Sequence, residues 1–361
     1  MKNTWKIFVA AALCLAATSC ADKSPQDREM DRFISSLMKR MTFEEKVGQL
    51  NMPDYGTMTT GTGASFNIEE RIIKGEAGAI LNARGYKKIY ELQHLAVDSS
   101  RLGIPLLFGM DVIHGYQTVF PIPLGLSCTW DMDAVEESAH IAAVEASADG
   151  TNWTFSPMVD LGRDPRWGRV AEGNGEDPYL NARIAEAMVW GYQGRPGHRF
   201  EKEDQIMACV KHFALYGAAE AGRDYNTVDM SRQKMFNEYM VGYKAAADAG
   251  AGSFMSSFNV VDDVPASVNR WLMTDVLRKQ WGWNGFVVTD YISINECVDH
   301  GVGNYHEVAV KALKAGVDMD MVGETFFTQA KSAVEAGELK MEDVDRACRR
   351  VLEAKYRLGL F

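Results

Sequence analysis

GFVVTDY, residues 285 to 291, is a short apolar run that ends abruptly in Thr289, Asp290 and Tyr291. A run this short and this rich in β-branched residues is typical of a buried strand covered on both faces, as in a parallel sheet wrapped by helices. A carboxylate at the C-terminal end of such a strand lies on the face where barrels of alternating strands and helices carry out their chemistry. Asp290 is therefore a candidate nucleophile. Taken alone, it fits equally well as the cap of a helix that begins near Ile292.

Apolar runs of the same kind recur along the chain and alternate with helical patterns. Together with the last one, the predicted strands are Gln49–Met52, Gly78–Leu81, Pro105–Asp111, Trp153–Asp160, Ile206–Phe213, Gly252–Asn259, Phe286–Asp290 and Val317–Val322. The predicted helices between them include Lys87–Ser99, Asp133–Ala148, Tyr179–Gly191, Arg232–Ala249, Leu272–Trp281 and Tyr305–Ala315. This alternation predicts an α/β fold, a (β/α)8 TIM-type barrel rather than an open sheet. Neither a GxGxxG after the first strand nor a phosphate loop supports a nucleotide-binding alternative.

The two ends of the barrel region also carry helical patterns. Two short helices are expected within residues 31–50, the second opened by a capping box of Thr42 and Glu45. Helices over Met341–Arg357 and Leu358–Phe361 are expected to close the chain. We therefore assign residues 31–361 to one barrel domain, with no second domain after it.

Composition restricts the class of protein and of partner. A chain of 361 residues with 47% apolar residues can bury the core of one such barrel. Its net charge of -11 argues against nucleic acid or an anionic membrane surface as a partner. The cysteines beyond the N-terminus lie far apart without CxxC or His-rich spacing, so no zinc site is expected. We expect no metal and no organic cofactor.

The N-terminus resembles a secretory signal. Lys2 and Lys6 precede an apolar run over residues 7–17, and small residues then lead to Cys20. The segment LAATSC, residues 15–20, is similar to a bacterial lipobox, in which the cysteine is lipidated; an ordinary signal peptide with a chance cysteine is the alternative. We expect a signal peptide over 1–19, a tether over 20–30, and an exported protein, periplasmic or an outer-membrane lipoprotein of a bacterium.

Polar residues cluster at the predicted strand ends. They are Asp111, Asp160, Lys211 with His212, Ser256 with Ser257 and Asn259, Asp290 and Asp320. In a barrel these ends meet around one pocket, so residues far apart in the chain become neighbours. Residues that merely solvate the barrel rim account for one or two of them, but not for a lysine, a histidine and several aspartates together. This coincidence favours Asp290 as a functional residue.

Six ordered segments resemble glycoside hydrolase family 3, the β-glucosidase-like enzymes, over residues 37–361. They are MTFEEKVGQL at 41–50, FGMDVIHG at 108–115, VDLGRDPRWGRVAEGNGEDPYL at 159–180, KHFALYGAAEAGRDYN at 211–226, SFMSSFN at 253–259 and GFVVTDY at 285–291. Each segment alone is a weak signal, whereas six in order are specific. The resemblance implies the N-terminal barrel domain of that family.

The resemblance also implies roles for individual residues. Asp290 would attack the anomeric carbon and form a covalent glycosyl-enzyme, as in retaining glycosidases. Asp111 would accept hydrogen bonds from sugar hydroxyls. Arg169, Lys211 and His212 would donate to the same sugar and to the nucleophile, and the adjacent cations would keep Asp290 ionised. Met255 matches a position that lines the sugar subsite. Most charged residues between Arg163 and Asp177 are interpreted as a network that holds Arg169.

The family pattern also defines what this chain lacks. The N-acetylglucosaminidase branch takes its proton donor from a PGHGDT-type loop, which KHFALYGAAEAGRDYN does not contain. In the glucosidase branch the donor is a Glu of a C-terminal sandwich domain, and this chain ends before that domain. Tyr291 replaces the Trp that commonly follows the nucleophile, and Phe258 stands where many members carry Tyr, which puts the acceptor subsite in doubt.

We therefore predict the nucleophile-bearing barrel of a retaining β-glycosidase that hydrolyses β-glucosides or oligosaccharides. Its acid/base is missing from this chain and is supplied elsewhere, for example by another part of a split enzyme. A non-catalytic sugar-binding lipoprotein shares every motif and is one alternative. Another is a Schiff-base lyase that uses the strand-end Lys211.

Overall fold

The computed structural model describes residues 24–56, 67–200 and 202–361. The described residues divide into two units between Arg40 and Met41, and the described part of the first unit is residues 24–40. The first unit contains helix α1, Pro25–Met38, whose first turn is capped by Ser24 Oγ accepting from the Asp27 amide at 3.0 Å. The predicted tether over 20–30 is therefore wrong from Pro25 onward, because a capping serine and a proline at the first helical position start a helix there. The predicted signal peptide and Cys20 lie outside the described residues.

Ten strands occur in the described residues. They are β1 (Asn51–Met52), β2 (Ala79–Leu81), β3 (Leu107–Met110), β4 (Trp153–Thr154), β5 (Met207–Phe213), β6 (Ser253–Ser256), β7 (Val260–Val261), β8 (Val264–Pro265), β9 (Phe286–Thr289) and β10 (Asp320–Met321). Strands β7 and β8 form a small antiparallel hairpin. The other eight fall within the eight predicted strands, although most are shorter than predicted.

These eight strands pair in parallel. Six form one sheet in the order β2-β3-β4-β5-β6-β9, and β1 pairs with β10. Parallel bridges join Asp54 to Leu81 and Val288 to Met319, next to the ends of the six-stranded sheet. Pairings therefore link each of these strands to its neighbours in chain order and the last strand to the first. Parallel strands in this arrangement bring their C-terminal ends to one face.

The other helices lie mostly between consecutive strands, whereas the first of them precedes β1 and the last two follow β10. They are α2 (Phe43–Gly48), α3 (Ile68–Lys74), α4 (Tyr86–His94), α5 (Pro123–Ser127), α6 (Met132–Ala148), α7 (Pro178–Gln193), α8 (Arg232–Lys234), α9 (Val241–Ala249), α10 (Ser293–Asp299), α11 (Tyr305–Ala315), α12 (Thr325–Glu335) and α13 (Met341–Arg357). π-Helical turns extend α4 through Leu95–Ser99 and join α8 to α9 through Met235–Tyr239, and Trp271–Gln280 is a separate π-helix. The capping box of α2 is confirmed, since the Glu45 amide donates to Thr42 Oγ1 at 3.2 Å and the Thr42 amide to Glu45 Oε2 at 2.8 Å.

One predicted helix is wrong. After α13 the chain turns at Leu358 and Gly359, where Gly359 has a φ of 70°, and Leu360 and Phe361 are not helical. A glycine in the left-handed region is the usual way for a helix to end, so Gly359 stops the pattern that the apolar residues suggested.

An apolar cluster fills the space enclosed by the strands. Trp153 lies 4.9 Å from Phe155 and 5.1 Å from Phe286, measured between ring centroids. Phe286 and Val288 belong to this cluster. Because side chains alternate along a strand, the next residue of the same parity, Asp290, points to the same interior at the strand's end.

The described residues also bear on membrane insertion, metal binding and disulfide bonds. Within the described residues, no helix is both long enough and apolar enough to cross a membrane. The same residues contain no group of three or more His, Cys, Asp or Glu side chains placed to hold a metal ion. Their four cysteines are free thiols: Cys128 is exposed, whereas Cys209, Cys297 and Cys348 are buried.

Candidate active site

Asp290 lies at the end of β9 with only 9% of its surface exposed. Its amide donates to Ser256 O at 3.2 Å, and its Oδ1 accepts from the Tyr291 amide at 2.7 Å. Helix α10 begins at Ser293 without a side-chain cap, so the helix-cap alternative for Asp290 is wrong. The second oxygen, Oδ2, has no hydrogen-bond partner among the described residues and lies 3.4 Å from His212 Nε2. One carboxylate oxygen is thus held while the other remains available.

Arg169 and Lys211 lie beside this carboxylate in a network of ion pairs. Glu172 accepts from Arg169 Nε at 2.7 Å and from Arg169 Nη2 at 3.0 Å. Lys211 Nζ donates to Asp111 Oδ1 at 2.7 Å and lies 3.6 Å from Glu172 Oε2. Glu172 therefore holds Arg169, whereas Arg163 pairs with Glu238 and Asp164 pairs with Arg166 instead. Asp111 keeps 55% of its side chain exposed, so it stands at the outer side of the network.

His212 is fully buried and oriented by Asp160. Asp160 Oδ2 accepts from the His212 amide at 2.9 Å and lies 2.7 Å from His212 Nδ1. Tyr243 Oη donates to the His212 carbonyl at 2.7 Å and also bonds Asp160. Burial, Arg169 and Lys211 hold the pKa of His212 well below its usual value, so the imidazole is neutral. Asp160 is thus a strand-end residue that orients His212 through hydrogen bonds.

The neutral imidazole corrects one predicted role. With Nδ1 donating to Asp160, Nε2 carries no proton. It lies 3.0 Å from Arg169 Nη2 and accepts from that guanidinium. His212 therefore does not donate to Asp290 in this arrangement; it positions Arg169 beside Asp290 instead.

Burial and charge have opposite effects on the pKa of Asp290. Burial raises the pKa of Asp290 to about 6, although Arg169, the Tyr291 amide and Lys211 all act to lower it. The adjacent cations therefore act in the expected direction, but the desolvation of a buried carboxylate outweighs them in setting the pKa. Asp290 is still largely ionised at neutral pH, as a nucleophile requires.

The environment of Lys211 argues against the Schiff-base alternative. Burial would lower the pKa of Lys211, but Asp111 and Glu172 raise it overall. A protonated amine has no lone pair with which to attack a carbonyl. Lys211 therefore acts as a cationic hydrogen-bond donor.

Five of the six predicted site residues are thus brought together: Asp111, Arg169, Lys211, His212 and Asp290. Met255 lies in β6 opposite Val288 and is 3% exposed within the interior cluster. It packs below the polar network rather than in it.

Some features of the site were not predicted. Glu296, on the first turn of α10, is half-buried, and burial, Asp290 and Asp299 together raise its pKa to about 7. Tyr216 forms a buried wall: its ring lies 5.2 Å from the His212 ring and 5.5 Å from the Arg169 guanidinium. Neither residue lies at a strand end, so a search for polar residues at strand ends does not identify them.

Backbone strain also occurs after strand ends on the face that carries the site. Leu215 after β5, Ile292 after β9 and Val322 after β10 have φ values of 70°, 52° and 67°. β-Branched and bulky residues rarely adopt the left-handed region, and such strain concentrates at functional sites. Three of the strand ends on the face with the polar residues are thus followed by a constrained residue.

Comparison with known proteins gives a consistent result. Residues 42–354 match the glycosyl hydrolase family 3 N-terminal domain. A periplasmic β-glucosidase of Salmonella typhimurium is 45% identical over 333 residues, which are 92% of this chain and 42% of that protein. A β-xylosidase of Formosa agariphila is 35% identical over 384 residues, covering 100% of this chain and 47% of the relative.

Solved structures agree with these relatives. The β-glucosidase of Listeria innocua in complex with isofagomine superposes with a TM-score of 0.87 at 43% identity, covering 91% of this chain and 46% of that one. The chain spans about half the length of the relatives it matches. From the family match over most of its length, the chain belongs to glycosyl hydrolase family 3, whose N-terminal domain it contains.

Proposed function

We propose that this chain is the nucleophile-bearing domain of a retaining β-glycosidase that acts on β-glucosides. The observation that carries the proposal is the Asp290 carboxylate, buried at a strand end with Oδ1 held and Oδ2 without a hydrogen-bond partner among the described residues. Oδ2 would form a bond to the anomeric carbon while the bond from that carbon to the leaving oxygen breaks, and water would later release the sugar. Relatives named as β-glucosidases support the choice of sugar.

The neighbouring residues would bind the sugar in the same step. Asp111, ion-paired and half exposed, would accept from sugar hydroxyls, and Lys211 would donate to them. Arg169, placed by His212 and Glu172, would stabilise the charge near Asp290. Met255 would support this subsite from below. Because relatives are named as β-xylosidases as well as β-glucosidases, the proposal extends to pentosides of the same configuration.

We place the proton donor for the leaving group outside the residues of this chain. Asp111 and Glu172 are both ion-paired to Lys211, which suits them poorly to hold a proton. The relatives are about twice as long, so a further domain, or a second polypeptide of a split enzyme, has room to supply the acid. In retaining enzymes the two carboxyl groups stand roughly 5 to 5.5 Å apart.

Mass spectrometry tests the nucleophile directly. A 2-deoxy-2-fluoro-β-glucoside with a dinitrophenyl leaving group needs no proton donor, so it should leave one fluoroglucosyl group on the peptide that contains Asp290. Asp290→Asn should show no adduct. A wild-type chain that binds glucose yet forms no adduct would instead be a non-catalytic sugar-binding protein.

We further propose that the ring of parallel strands is a (β/α)8 barrel and that the protein is exported with a lipid on Cys20. Support for export comes from the signal-like residues before Cys20 and from relatives named as periplasmic. Labelled palmitate should enter the wild-type protein in a bacterial host and fail to enter Cys20→Ser. Equal labelling of both would refute the anchor.

A further inference from the structure

The rim of the site carries an exposed aromatic ring that no step above uses. Tyr225 lies in the loop between β5 and β6 and is 44% exposed. Its ring centroid lies 4.6 Å from that of Phe258 and 6.1 Å from that of Tyr216. Phe258 and Tyr216 are buried, at 7% and 0% exposure. Tyr225 is thus the outermost of three packed aromatic rings.

These rings connect the rim to the nucleophile. Tyr216 contacts both Tyr225 and the pair formed by His212 and Arg169, so a single ring separates Tyr225 from the groups beside Asp290. Both Glu296 and Asp290 add to the effect of burial in raising the pKa of Tyr225, which also indicates that these groups are near. The exposed ring therefore lies one ring outward from the position expected for the reacting sugar.

The loop holds this ring in a fixed and strained position. Tyr225 has a φ of 65°, in the left-handed region that bulky residues rarely adopt. Bonds within the loop keep it there: the Glu220 amide donates to Thr227 O at 3.0 Å, and Asn226 Nδ2 donates to Glu220 O at 3.1 Å. The Val228 amide ties the loop to Val260 O at 2.9 Å. Packing alone needs no such constraint on a residue whose ring stays half in solvent.

We propose that Tyr225, with Phe258 behind it, forms the acceptor subsite that holds the second sugar of the substrate, and that Tyr225 determines specificity for the leaving group. An aromatic face covers the apolar face of a pyranose, and an exposed ring beside the reacting sugar offers such a face. Tyr291, which follows the nucleophile, is less available because it packs against both the interior cluster and the cluster that contains Tyr216 and Phe258. This inference rests on the proposed function.

Binding of two ligands tests the subsite without requiring turnover. Dissociation constants for glucose and laminaribiose are measured by calorimetry for the wild-type chain and for Tyr225→Asn, since Asn tolerates a positive φ. We expect laminaribiose binding to weaken by about five- to tenfold, the loss typical of one aromatic contact, and glucose binding to change less than about twofold. Tyr225→Phe keeps the ring and should keep the disaccharide affinity.

A matched variant controls for loss of an exposed tyrosine. Tyr305, at the start of α11, is 53% exposed, and Tyr305→Asn should leave both dissociation constants unchanged. Equal weakening of glucose and laminaribiose in Tyr225→Asn would show that Tyr225 only packs, and no change in laminaribiose binding would overturn the subsite. A wild-type chain that binds neither sugar would instead refute the proposed function, and the subsite with it.

Discussion

Burial and charge act in opposite directions on the carboxyl at the end of β9. Arg169 and Lys211 favour the ionised form of Asp290, yet removal of water raises its pKa to about 6. Strand alternation fixes the Asp290 carboxyl in the interior. Its pKa can therefore be adjusted only by the residues around it. The rate of covalent labelling, plotted against pH, should therefore fall on its acid side (the acid limb) with a midpoint near pH 6, and not near the ordinary pKa of Asp.

Replacing Lys211 by Met should move that limb to higher pH. Lys211 lowers the pKa of Asp290, so its removal should raise that pKa, by up to about one unit. The rate of covalent labelling by the 2-deoxy-2-fluoro-β-glucoside, followed from pH 4 to 8 in about half-unit steps, measures the shift. Lys244→Met, at an exposed ion pair with Asp248, serves as control. A limb that moves to lower pH would contradict the electrostatic explanation.

Glu296 provides a test of where the proton donor lies. Its raised pKa, to which the charge of Asp290 contributes, makes Glu296 a candidate proton donor among the described residues. If the donor is outside this chain, rates on aryl glucosides should fall steeply as the leaving group becomes more basic, equally in the wild type and in Glu296→Gln. A selective loss of about 10² to 10⁴ on basic leaving groups in Glu296→Gln alone would make Glu296 the acid.

The sequence could predict which residues meet at the site but not how they interact. Strand-end position is readable from an apolar run followed by a polar residue, so Asp111, Lys211 and Asp290 could be selected. The tautomer of His212 depends on Asp160, which lies 52 positions earlier in the chain. No local pattern encodes that contact, and the same holds for Glu296 and Tyr225.

At the scale of elements, the apolar pattern predicts strands better than it predicts their ends. The predicted strand Trp153–Asp160 contains only two paired residues of β4, Trp153 and Thr154, followed by a single bridge from Met158 to Lys211. The segment beyond Thr154 stays buried and still bonds its neighbours without regular strand pairing: the Phe155 amide donates to Met110 O at 3.0 Å, and the Val159 amide donates to Lys211 O at 2.8 Å. Burial sets the pattern, whereas pairing sets the strand.

A buried aspartate that the sequence did not single out joins two helices to a strand. Asp318 Oδ2 accepts from the Val287 amide at 2.9 Å and from Arg278 at 2.5 Å, and Oδ1 accepts from Arg350 at 2.8 Å. Asp318 is 1% exposed. It therefore fixes β9, and so Asp290, relative to the π-helix Trp271–Gln280 and helix α13.

Asp318→Ala should lower the free energy of unfolding by about 3–5 kcal/mol, because it leaves two guanidinium groups without their buried partner. The exposed pair made by Asp275 with Lys279 is the control, and Asp275→Ala should cost less than about 1 kcal/mol. Urea denaturation of both variants measures the difference. Equal losses would mean that the buried network adds nothing to an ordinary surface pair.

At the scale of the molecule, the first and last strands of the ring must meet although they are far apart in the chain. Asn51 of β1 pairs with Asp320 of β10. Beside this junction, Lys355 of α13 donates from Nζ to Gln49 Oε1 at 2.6 Å across 306 positions. Lys355 is fully buried and Gln49 is 2% exposed. A buried lysine bonded to a neutral amide oxygen thus lies where the ring closes.

Burial lowers the pKa of Lys355 to about 7, although Cys348 acts to raise it. The unfolded chain binds this proton up to the ordinary lysine pKa of about 10.4, so between these two values the unfolded state holds more protons. Stability contributed by this group therefore rises with pH from about 7 upward, by at most about 1.4 kcal/mol per pH unit, and is constant below the folded pKa.

Lys355→Met should consequently be more stable than the wild type at pH 8, and the advantage should shrink as pH rises toward 10 because the wild type gains stability there. Free energies of unfolding of both chains from urea titrations at pH 6, 7, 8 and 9 give the difference, in which the other titrating groups cancel. Lys331→Met removes an exposed lysine paired with Glu44 and should show no such slope. A difference between Lys355→Met and wild type that is independent of pH across this window would mean that Lys355 titrates as an ordinary lysine, and that closure of the ring tolerates a buried charge.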